Sequence, residues 1–142
     1  YDNDMLLNSQ YFELLMATGN EQKLATFLPK YFQYLHQNGR DDLISRNHKR
    51  LLLKNRDFSL EDPAIKLLVA QASFEYNNPQ VTIKLLHGIH KKHPNFEDLI
   101  PALELLAHAF DEFPKYVNHG EACKKMISRI KHQQGTNINT GA

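Results

Sequence analysis

Cysteine occurs once, at Cys123, so no internal disulfide can form and nothing ties the chain to an oxidising compartment. Tryptophan is absent, and six glycines in 142 residues supply few of the tight loops on which catalytic groups usually sit. No Gly-rich phosphate loop, GxSxG elbow, HExxH pair or CxxC pair is present, and the carboxylates Glu13, Glu21, Asp98, Glu104 and Glu121 are scattered rather than framed. No enzyme and no cofactor are expected. A net charge of +1 exerts no global pull toward nucleic acid or anionic membrane. No apolar run approaches the roughly 18 residues of a membrane span, and no signal peptide is read. A soluble segment is expected, cytoplasmic by preference, with a periplasmic or membrane-tethered setting left open.

What is present is helical patterning. Residues 62–95 carry the clearest unit, two helices joined by a tight turn. Asp62 followed by Pro63 marks a start, because the carboxylate caps free N–H groups and proline has no N–H to leave unpaired. Ile65, Leu68, Val69, Ala72 and Tyr76 recur at helical spacing, with Lys66, Gln71 and Glu75 off that stripe. Asn77-Asn78-Pro79 opens the second helix, so short a joint makes the pair antiparallel, and Pro94 ends it. Thr82, Leu85, Leu86 and Ile89 are its expected inward side chains.

Those residues resemble the tetratricopeptide repeats, whose unit is a helix–turn–helix of roughly 34 residues with small residues where the helices cross. Ala70, Ala72 and Thr82 occupy the small positions and Leu86 the large apolar one. Lys66 stands where the family often has tryptophan, Ser73 where it has tyrosine, and Val69-Ala70 replaces Leu-Gly. A single hairpin cannot bury its own apolar face, so further copies are expected. Residues 96–133 supply one: Leu106-Ala107-His108-Ala109-Phe110 echoes Val69 to Ser73, and Ala122, Cys123, Met126, Ile127 and Ile130 form the return. The joint EFPKYVNHG is longer by about one helical turn.

Upstream, residues 3–57 read as weaker helices: 3–18 and 21–37 parted by Gly19, then 41–53. Leu7, Tyr11, Leu14 and Leu15 face Leu24, Phe27, Leu28, Tyr31 and Leu35 in this reading. Pro29 kinks or splits its helix. Among Tyr31, Phe32 and Tyr34 some rings point outward and form either an aromatic contact surface or plain helix surface. The fold class is therefore all-α, a short α-solenoid of stacked antiparallel hairpins with about seven helices, resembling the tetratricopeptide fold. It is one domain over residues 1–133 with a flexible polar tail at 134–142.

Two clusters carry possible chemistry. His87, His90 and His93 lie three apart, close enough on a helix for imidazoles to share a metal, but the remaining ligands are missing, so no metal is expected and stacking or end-capping is the default. Arg46, Lys49, Arg50, Lys54 and Arg56 form the most basic stretch, which pairs either with phosphates of a nucleic acid or with solvent and neighbouring aspartates.

The resemblance implies a scaffold that holds a peptide or partner helix in a groove lined by the first helix of each pair. On that basis Lys66, Gln71, Glu75, Glu104 and His108 are the expected lining groups. Two other readings stand beside it: nucleic-acid binding through residues 46–56, and a spacer or self-assembling unit of a larger, membrane-anchored or multi-domain bacterial protein. The partner expected is another protein, a peptide or a second copy of the chain.

Overall fold

Asn20 Oδ1 accepts the Lys23 N–H at 3.1 Å and Asp62 Oδ1 accepts the Ala64 N–H at 2.9 Å, so both side chains open helices by satisfying orphan donors. Gly19 and Gly39, at φ +67° and +69°, take the left-handed conformation that ends the helices before them. The computed structural model describes the backbone of residues 2–141 and the side chains of residues 4–135. Its helices are α1 (Asp2–Thr18), α2 (Glu21–Gln37), α3 (Asp41–Lys54), α4 (Pro63–Glu75), α5 (Pro79–Leu86), α6 (Ile89–Lys92), α7 (Leu99–Asp111) and α8 (Val117–Gly141). A 3₁₀ turn at Pro114–Tyr116 fills the long joint before α8. The fold is all-α, with no strand among the described residues. No helix among them is long and apolar enough to cross a membrane. The tail expected at 134–142 lies almost wholly outside the described side chains.

Consecutive helices stack. α1 packs on α2, α2 on α3 and α4, α4 on α5, and α7 on α4, α5 and α8. The hairpins 62–95 and 96–133 are thus neighbours, joined chiefly across α5 and α7.

α4 holds the two halves of the molecule together. Ile65, Val69 and Ala72 enter one apolar cluster with α1, α2 and α3, while Leu67 and Ala70 enter a second with α6, α7 and α8. The single inward stripe expected of α4 is accordingly too narrow: Tyr76 is exposed, and Leu67, Lys66 and Ser73 are buried. A helix apolar around most of its circumference is buried on more than one side.

Other sequence expectations are revised. α2 is continuous through Pro29, so the helix is not split. Of the three neighbouring rings only Tyr34 reaches the surface in part: Phe32 is buried, and Tyr31, expected inward, is buried too, stacking with Phe27 at 5.0 Å and meeting Phe12 at 5.5 Å. Leu7 and Leu14, expected inward, are 62% and 57% exposed, because α1 turns Phe12, Leu15 and Met16 to the core instead. The second helix of the best hairpin is two helices. Gly88 at φ +78° separates α5 from α6, and a Cβ there would meet nothing within 4 Å, so its left-handed backbone rather than close packing explains the glycine.

Candidate partner-binding groove

Leu99, Leu103, Leu106 and Phe110 follow one another along α7 at intervals of four, three and four, which aligns them on one face. All four are buried, with exposures from 8% down to 1%, and only their edges form the floor of the shallow hollows above them. Because α6 leaves the line of α5 at Gly88, His90 comes to stand beside this floor, with Met126 of α8 also lining it. Two hollows result. One of about 260 Å³ is floored by Leu103, Leu106 and Phe110, and one of about 410 Å³ reaches Leu99 and Ile130. His90 and Met126 line both, so the two hollows lie side by side along α7.

No carboxylate lines either hollow, whereas His87, His90, Lys91, His119 and Arg129 do. Phe110 closes one end in an aromatic group with Tyr116 at 5.6 Å and His119 at 5.4 Å. Burial lowers the pKa of His90, with Lys91 and His87 adding to the effect, so its ring is the neutral, more apolar form at neutral pH. Cys123 donates its thiol to the Leu103 carbonyl at 3.1 Å, and burial pushes its pKa up to about 11. A protonated thiol bonded to backbone is a packing group and not a nucleophile.

The side chains expected to line a groove are distributed differently. Glu104 and His108 are exposed on α7 and share a separate shallow hollow with Lys124 and Ile127 of α8. Gln71 and Glu75 are exposed on α4 and join neither hollow. Lys66 is buried in a cavity on another side of α4, with residues of α3, α5 and α6 around it. Only one pair of the five is therefore brought together. Reading polar residues off a single stripe missed Leu103, Phe110, Met126 and His90. The available signals were the apolar run of α7, wider than one packing face requires, and Gly88.

The basic stretch is divided by the fold. Arg50 grips Glu13 with two hydrogen bonds of 2.6 and 2.8 Å and lies 5.6 Å from the Phe12 ring centre. That hydrogen bond is the main reason the Glu13 carboxyl is held below its ordinary pKa and Arg50 above its own. The Lys54 ammonium donates to the Met16 carbonyl. Arg50 and Lys54 thus fasten α3 to α1, leaving Arg46, Lys49 and Arg56 exposed. The break at Gly88 likewise separates His87 from the helix that carries His90, and no group of three or more His, Cys, Asp or Glu among the described residues is placed to hold a metal ion.

Compared with protein-family models, with curated proteins and with solved structures, the chain matches none.

Proposed function

We propose that the protein is an interaction scaffold whose groove over α7 takes up an amphipathic helix or peptide of a partner protein. The observation that carries this reading is the apolar floor from Leu99 to Phe110, bounded by His90 and Met126 and free of lining carboxylates. A ligand complementary to it presents apolar side chains at helical spacing with acidic residues at its flanks. The stacking of α7 on both helices of the preceding hairpin supports the tetratricopeptide-like reading, in which the first helix of a pair lines the groove.

Selection from a displayed peptide library on the purified protein tests it. Enrichment of apolar peptides with acidic flanks is expected, and Met126→Lys, at a half-buried position, is expected to abolish their binding while leaving the helical content intact. A library that yields no such peptides, or binding that Met126→Lys does not touch, would count against the groove.

A second reading has its own observation. Leu7, Tyr11 and Leu14, spaced four and three apart on α1, form an exposed apolar stripe, and this favours a self-associating unit. The expected species is a dimer in gel filtration that Leu7→Lys with Leu14→Lys converts to monomer. The basic stretch supports nucleic-acid binding less, since Arg50 and Lys54 are engaged with α1.

A further inference from the structure

Between α3, the 58–60 connection, α4, α5 and α6 lies a cavity of about 100 Å³. Its polar lining is almost entirely basic. Lys66, Lys84 and Lys92 reach it, with the imidazoles of His48 and His87, and no carboxylate lines it. His48 is 1% exposed and Lys66 9%, so two of these groups are more than nine-tenths buried. The Nδ1 of His48 has no hydrogen-bond partner, and Lys66 makes no ion pair among the described residues. Glu61 is the carboxylate that acts on Lys66, but it is exposed and accepts a 3.2 Å hydrogen bond from Ser59.

Like charges converge on one hollow. Lys84 and Lys92 are exposed while the Lys66 side chain is buried, and a lysine side chain buried without an ion pair is unfavourable. The strain registers on the groups themselves: burial first and Lys92 second depress the Lys66 pKa, while burial first and Lys84 second push His48 down to about 4. Lys66 also sits in the first turn of α4, where the helix dipole is positive. One bound anion relieves all of these at once.

We propose that this cavity is a phosphate-binding site, taking inorganic phosphate or the phosphoryl group of a small phosphomonoester. A phosphate dianion brings a double charge and more acceptor oxygens to the three ammonium groups than a carboxylate does. Lys84 already gives one N–H to the Arg56 carbonyl at 3.0 Å, and an ammonium has two more to donate. The His48 ring lines the same cavity, and its Nδ1 has no protein partner. The cavity's size suits one tetrahedral anion and excludes a nucleotide base, so any organic portion of the ligand extends outward.

The test is an NMR titration of the isotopically labelled protein with sodium phosphate, with glycerol 3-phosphate, and with sodium chloride at matched ionic strength. Saturable shifts at His48 and at the amides of Lys66, Lys84 and Lys92 are expected with one or both phosphates and not with chloride. Lys66→Met and Lys92→Met are each expected to weaken binding by about tenfold or more. Lys92 is exposed, so Lys92→Met keeps the test sound where Lys66→Met disturbs folding. The tighter of the two phosphates identifies the free ion or the ester as the ligand. Shifts that chloride reproduces, no saturation with either phosphate, or a folded Lys92→Met that binds like the parent would overturn the proposal.

Discussion

The Thr82 hydroxyl donates a 3.0 Å hydrogen bond to the Ala70 carbonyl, and both residues are fully buried. This bond crosses from α5 to α4 at the two small positions of the best hairpin, so the pair that lets the helices approach also fastens them. Thr82→Val keeps the shape and removes the donor. It is expected to lower unfolding stability by about 1 kcal/mol, read from the urea midpoint at unchanged slope. A midpoint equal to the parent's would mean that packing alone holds the crossing.

Helix starts were legible because capping is local. Asp62 and Ala64 lie two residues apart, and the Asp62-Pro63 pair that announces the start is contiguous. Gly19 was legible in the same way as the end of α1, because the left-handed turn it takes is set by its own backbone. Lys66 was not legible. Its burial is decided by α6 and by the 58–60 connection, and nothing in the residues around it announces that Lys92 and Leu60 will close over the same space. Arg50 was misread for a related reason, since its partner Glu13 lies 37 residues away on α1. The groove falls between these cases: the apolar face of α7 is written in the sequence, while its wall depends on how far Gly88 turns the chain.

The Arg50–Glu13 pair is geometrically good but sits at the surface, with side chains 34% and 52% exposed. A double-mutant cycle with Arg50→Ala and Glu13→Ala is expected to return a coupling of about 1 kcal/mol or less, shrinking as salt is raised. Arg50→Ala alone is expected to cost more than Glu13→Ala, because the guanidinium also covers the Phe12 ring. Equal single costs would remove that stacking from the account.

His48 makes stability depend on pH. Its folded pKa of about 4 lies below the ordinary 6.5, so between these values the unfolded chain binds the proton and the folded chain does not. The stabilisation is complete above pH 6.5 and is lost as pH falls toward 4, amounting to about 3 kcal/mol for a fully buried ring. Urea unfolding at several pH values, in buffers without phosphate, measures it. His48→Leu is expected to flatten the fall in stability across this window; an unchanged fall would place its origin in other groups.

Gly88 decides whether α5 and α6 stay separate, and substitution there has an informative sign. Alanine is the better helix former, so if the break were incidental, Gly88→Ala would fuse the two segments, raise the helical signal and leave stability equal or higher. If the packing of Ile89 and the groove wall enforce the break, alanine must hold φ +78°. That conformation costs about 1–2 kcal/mol for a residue with a Cβ. No neighbouring atom lies within 4 Å of the added methyl, so a steric clash cannot account for any loss. A destabilisation of about 1 kcal/mol with unchanged circular dichroism is expected, and Gly88→Asn is expected to lose less, since asparagine tolerates the left-handed region. A more helical, more stable Gly88→Ala would mean that His90 is not held beside α7, and the groove would lose one of its walls.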